Sequence, residues 1–192
     1  MKKIIILLAS VALFSGCAST ETIRRLESQS GQGVFQVVGQ SSTSPATGFG
    51  DLQISLSVKT RKNGTVLIDT TNYGTERYQM LVGVKGQTHR VMGTMTTETG
   101  KYQGSTDPEA GNGVRYTFNS TLRLPIGTHK ISVALPGDGT LFEQDVTIRD
   151  GLQKLELKPV YKSRNPHRLI GFNGDRTYYE GVKSLQNIGQ GR

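Results

Sequence analysis

The sequence predicts an all-β chain folded as an antiparallel β-sandwich, with a flexible N-terminal tether and a basic C-terminal extension. Three observations carry this reading. From Val34 onward apolar residues recur at every second position, the period of a half-buried strand. Turn dipeptides (Asn-Gly, Pro-Gly, Asp-Gly) break these runs at short intervals. Glycine is frequent at 24 residues, tryptophan is absent, and hydrophobic residues make up only 34%. That composition suits short strands joined by glycine turns better than a helical bundle. The count is about eight strands over about 130 residues, with no convincing amphipathic helix, which is the pattern of a sandwich.

Val34 to Val38 is a short strand, followed by the loop from Gly39 to Gly50. Leu52, Ile54, Leu56 and Val58 then alternate with Gln53, Ser55, Ser57 and Lys59, giving the clearest half-buried strand of the chain. Its expected hairpin partner is Val66 to Asp69, across Lys62-Asn63-Gly64-Thr65, because Asn-Gly supplies the positive φ angles of a tight turn. A second hairpin joins Tyr78–Val84 to His89–Thr96 through Lys85-Gly86-Gln87. Residues 97–113 form a long polar loop, of the kind that carries binding residues on a rigid scaffold. Val114, Tyr116 and Phe118 resume the alternation and run on toward Leu122 and Leu124. Three close-set strands follow, His129–Leu135, Phe142–Arg149 and Leu152–Tyr161, turned at Pro136-Gly137-Asp138-Gly139 and at Asp150-Gly151. Their inward residues are Ile131, Val133 and Leu135, then Phe142, Val146 and Ile148, then Leu155 and Leu157. Sequential antiparallel pairing makes them a meander.

The two ends differ in kind from this body. Lys2 and Lys3 precede an uncharged apolar run from Ile4 to Phe14, too short for a permanent bilayer span and about the length of a signal-peptide core. Ser15, Gly16 and Cys17, the only cysteine, come next. This stretch resembles the lipobox signal of bacterial lipoproteins, with Phe14 standing where that family prefers Leu. The resemblance implies cleavage before Cys17, a diacylglycerol on its thiol and a further fatty acyl chain, such as palmitate, on the new N-terminus. The other reading is a plain secretory signal with an unrelated cysteine. Ala18 rather than Asp follows the cysteine. In a Gram-negative envelope the resemblance then implies delivery to the outer membrane, facing the periplasm or the surface. The expected organisation is residues 1–16 as signal peptide, 17–33 as lipidated tether, 34–161 as sandwich and 162–192 as a basic tail or packed arm. The tether is rich in Ser, Thr, Gln and Gly, and only Ile23 and Leu26 could pack. A helical turn from Thr20 through Leu26 is marginal alone. Extended, the segment reaches roughly 55 Å at about 3.3 Å per residue.

The stretch from Leu122 to Tyr161 resembles the C-terminal half of small Ig-like or transthyretin-like modules on bacterial surface proteins, through its order of turns and alternating strands. That resemblance implies a fold and no activity.

Charge narrows the partners. Without Lys2 and Lys3 the basic count falls from 23 to 21 against 15 acids, so the processed chain carries about +6. Anionic lipid headgroups, acidic glycans and acidic protein surfaces fit this balance. Nucleic acid does not, since an exported chain rarely meets it and no basic helix or aromatic RNA-reading motif is present. With Cys17 committed to lipid, no disulfide is available and stability must come from burial. The segment 162–192 sets Lys162, Arg164, Arg168, Arg176, Lys183 and Arg192 against Asp175 and Glu180. Ile170, Phe172, Tyr178, Tyr179, Val182 and Leu185 are interleaved with these charges. So many large apolar residues favour partial packing over disorder, as an added strand or a helical turn near Tyr178–Leu185. Arg164, Arg168, Phe172, Arg176, Tyr178, Tyr179 and Lys183 are therefore the candidate partner-binding residues.

No catalytic constellation stands out. His89, His129 and His167 lack metal-ligand spacing and read as surface or edge residues. There is no Gly-x-Ser-x-Gly elbow around Ser55 or Ser57. Asp107, Glu109 and Asp138 sit in polar loops where solvated carboxylates are the norm. No cofactor is expected beyond the lipid on Cys17. The leading expectation is a non-enzymatic, membrane-anchored module that binds or braces another envelope protein. The alternatives are a module for an acidic glycan or peptidoglycan, and a small envelope hydrolase rimmed by the 97–113 loop.

Overall fold

A computed structural model describes residues 15–39, 44–60, 72–100, 109–163 and 177–184. Among these, one helix, α1 (Ser15–Ser28), precedes ten strands. They are β1 (Gln36–Val38), β2 (Phe49–Thr60), β3 (Gln79–Val84), β4 (Gln87–Met92), β5 (Thr94–Glu98), β6 (Gly113–Pro125), β7 (Gly127–Leu135), β8 (Thr140–Ile148), β9 (Gly151–Ser163) and β10 (Thr177–Ser184). The strands form a sandwich. One sheet runs β1-β6-β2-β9-β10, with β5 also pairing β6, and the other runs β4-β3-β7-β8. The expected Val66–Asp69 strand lies outside the described residues. Along residues 50–56, β2 has both edges occupied, by β6 and by β9.

The alternation read from the sequence sets the core. Leu52, Ile54, Leu56 and Val58 from β2 and Val114, Tyr116, Phe118, Leu122 and Leu124 from β6 point inward. They meet Met80, Val82 and Val84 of β3 and Ile131, Val133 and Leu135 of β7, all buried. Each such side chain removed from water contributes roughly 1.5–3 kcal/mol. The β3–β4 hairpin turns on Lys85 and Gly86, with φ of 45° and 85°, the double positive-φ turn that suits strand twist.

Two expectations need correction. The meander breaks at Asp150-Gly151. β7 and β8 pair antiparallel, but β9 leaves their sheet and pairs parallel with β2, Gly50 beside Gly151 through Leu56 beside Leu157. Gly151, at φ 84°, turns a corner between the two sheets instead of closing a hairpin. A further corner falls at Gly93, where β4 hands over to β5 in the other sheet. The segment expected as a tether is the second correction. Among the described residues it is largely helical, Ser15–Ser28, and so longer than the turn expected from Thr20 through Leu26. Ile23 and Leu26 are buried against Leu81 and Ala134 on the outer face of the smaller sheet, with Leu141 alongside. A short amphipathic helix that is marginal alone is stabilised once its apolar stripe docks. The backbone after it stays close: a Cβ on Gly31 would lie 2.4 Å from the Gly86 carbonyl oxygen. Arg90 also donates to the Glu27 carbonyl at 2.8 Å.

At the other end of the chain, of the added strand or helical turn expected near Tyr178–Leu185, the structure has the strand. β10 pairs antiparallel with β9 from Thr177 opposite Ser163 to Ser184 opposite Leu157, with a bulge between Tyr179 and Gly181. Val182 packs against the core.

Candidate functional site

With α1 docked on the smaller sheet, the broad face that no described element covers is the outer side of the larger one. Its rows follow from strand register, because paired residues share a face. Ser57 of β2 stands beside Thr117 of β6, which stands beside Thr94 of β5. Ser55 stands beside Asn119, and Gln53 beside Thr121. Asp51 faces Arg123, and the two form a bidentate ion pair at 2.8 and 3.0 Å.

Toward the base of the 97–113 loop the face becomes ionic. Lys59 occupies an outward position of β2 yet is only 4% exposed. Its ammonium donates to the carbonyls of Glu109 and Gly111, both at 2.7 Å, and pairs with Glu98 at 3.0 Å. Arg115 holds Glu98 through two nitrogens, reaches Glu109 at 2.8 Å and donates to the Ser57 hydroxyl at 3.3 Å. Tyr161 donates to Glu109 at 2.5 Å. The hydrogen bond from Arg115, joined by Lys59, holds the Glu98 carboxyl below its usual range, and Glu98 in turn keeps Arg115 charged. This clasp ties the end of β5, the end of the loop and β9 to the centre of the sheet. A cleft of about 340 Å³ opens beside it, lined by Ser57, Glu109, Arg115, Glu156, Lys158 and Tyr161.

The candidate partner residues divide as follows. Tyr178 and Tyr179 sit on β10 opposite Lys162 and Tyr161. Lys183 is exposed and stands directly opposite Lys158 of β9, also exposed. Arg164, Arg168, Phe172 and Arg176 lie outside the described residues. Cys17 lies within α1.

Two side chains read as solvent-facing are enclosed. His129 is 5% exposed. Its Nε2 lies 2.8 Å from the Pro125 carbonyl, which can only accept, so that nitrogen donates, and Nδ1 has no hydrogen-bond partner among the described residues. The Asp138 carboxylate accepts from the hydroxyls of both Tyr73 and Tyr78, and burial pushes its pKa up. Tyr78 in turn packs on Tyr116 and Phe118. The turn motif around Asp138 was readable, but partners 60 and 65 residues away were not. His89 on β4 is half-buried, and burial lowers its pKa. Asp107 and His167 lie outside the described residues.

Chemically, the charges of the clasp satisfy one another, whereas Lys158 on the cleft's rim makes no ion pair among the described residues. The Ser57 hydroxyl accepts from the Arg115 guanidinium, which has no lone pair to take its proton. Among the described residues no group of three His, Cys, Asp or Glu side chains could hold a metal ion. None of the described helices is long and apolar enough to cross a membrane. Compared with known proteins, the chain matches no family model, no curated protein and no solved structure.

Proposed function

We propose that this chain is a lipid-anchored, non-enzymatic envelope module that works by contact: Cys17 carries the lipid and the sandwich binds or braces another envelope component. The observation that carries the reading is the junction of anchor and body. The lipobox-like run MKKIIILLASVALFSGC ends in α1, and α1 docks on one sheet while the opposite sheet keeps an open polar face. A chain held at Cys17 presents that face to its surroundings. Ala18 favours the outer membrane where the envelope is Gram-negative.

Intact-mass analysis of the protein extracted from membranes tests the anchor. The expected mass is that of residues 17–192 plus a diacylglycerol and one acyl chain. An unmodified Cys17, or a retained leader, overturns the proposal. Crosslinking in intact cells, with and without residues 164–192, tests whether the tail contributes to partner capture.

A further inference from the structure

We infer that the outer face of the larger sheet binds an acidic polysaccharide, with sugar carboxylates seated between Lys158 and Lys183. The inference deepens the proposed contact function by naming the partner's chemistry, and it depends on the anchor only for where that partner is met.

Lys158 and Lys183 are directly opposed across β9 and β10. Side chains in that position hold their Cβ atoms about 5 Å apart, and like charges there destabilise the sheet. On the same face Arg123 is neutralised by Asp51, and Arg115 and Lys59 by the carboxylates of the clasp. Lys158 and Lys183 make no ion pair among the described residues. The nearest acid along β9 on this face is Glu156, two residues before Lys158. It borders the cleft and bounds the cationic spot on one side. An anion bridging the two ammonium groups would turn a repulsive pair into two charge-assisted hydrogen bonds.

The neighbouring surface fits the remainder of a sugar chain. From Lys158 the face continues through Ser57, Thr117 and Thr94, with Ser55, Asn119, Gln53 and Thr121 in the adjoining rows. These are uncharged donors and acceptors at the roughly 4.8 Å spacing of neighbouring strands. Thr117, Asn119 and Thr94 are exposed. Hydroxyl-bearing rings can exchange water for these groups one by one. The chain has no tryptophan to supply a stacking platform. Affinity must therefore come from charge and hydrogen bonds, and must weaken with salt.

The test uses the full-length lipidated chain in neutral detergent, run by affinity electrophoresis through gels containing polygalacturonate or neutral dextran. Polygalacturonate should retard the protein at low salt, and dextran should not. The double substitution Lys158→Gln with Lys183→Gln should weaken retardation about tenfold, the scale of two lost solvent-exposed ion pairs. Lys130→Gln, which removes a cation from the other sheet, should leave it unchanged. The double variant should melt at or above the wild-type temperature, because a like-charge pair is gone. Unaltered retardation in the double variant, or none with the wild type, overturns the inference. So does a wild type that ignores the polymer but binds anionic phosphatidylglycerol vesicles through the same lysines. Measuring the N-terminal mass of the same preparation reports separately on the anchor.

Discussion

At the scale of single residues, Asp138 and Lys59 show how a charge is held away from water. Burial raises the pKa of Asp138, so the folded chain keeps this proton at pH values where the unfolded chain has lost it. Its contribution to stability is therefore full below the ordinary value of 3.8 and is lost as pH rises through the folded value. Asp138→Asn should abolish that slope, which melting temperatures measured from about pH 3 to pH 7 will show. Lys59 is a satisfied buried cation holding two carbonyls and a carboxylate. Lys59→Met strands all three, and the expected loss is about 3 kcal/mol in urea unfolding. Neither role was legible in the sequence. Lys59 continues an outward series and reads as solvated, and only the return of residues 109–111 over it makes it buried. Asp138 reads as a turn residue, which it also is. The aromatic and aliphatic core positions were legible because alternation assigns a face without reference to the partner strand.

Elements taken whole repeat the contrast between local and distant information. Helix α1 is held by Ile23 and Leu26 on the smaller sheet, and Leu26 fits over Gly83, where a Cβ would come within 2.3 Å of it. Leu26→Ala should remove about 2–4 kcal/mol, more than a helix of this length can spare. The expected result is loss of amide-exchange protection across α1, with the sandwich melting nearly as before. A whole-molecule collapse would show that the helix is integral to the core. The sequence did carry a hint of this cover. Met80-Leu81-Val82 is an unbroken apolar run inside a strand, and a strand buried on both faces needs something on its outer side. The corner at Asp150-Gly151 carried no comparable hint. Turn chemistry fixes φ and ψ, and the same dipeptide serves a hairpin or a crossing between sheets.

For the molecule as a whole, the two-layer architecture was legible and the strand order was not, since period-two patterns name a face but not a neighbour. The C-terminal strand closes one margin of the larger sheet. Ending the chain after Ser163 would bare the β9 edge and withdraw Val182 from the core. Such a truncation should lower the melting temperature and associate with itself, detectable by light scattering, because an unpaired strand edge is a template for another chain. A truncation that stays monomeric would show that this margin is protected by other means. The parallel pairing of β2 with β9 has a consequence in time as well as space. The strand at the middle of the larger sheet finds one neighbour only at residues 113–125 and the other only at 151–163. A chain emerging from its N-terminus thus cannot complete that sheet until most of it is available. High contact order of this kind makes folding slow, in the range of milliseconds to seconds, so the larger sheet closes last, when the C-terminal third of the chain finds its centre.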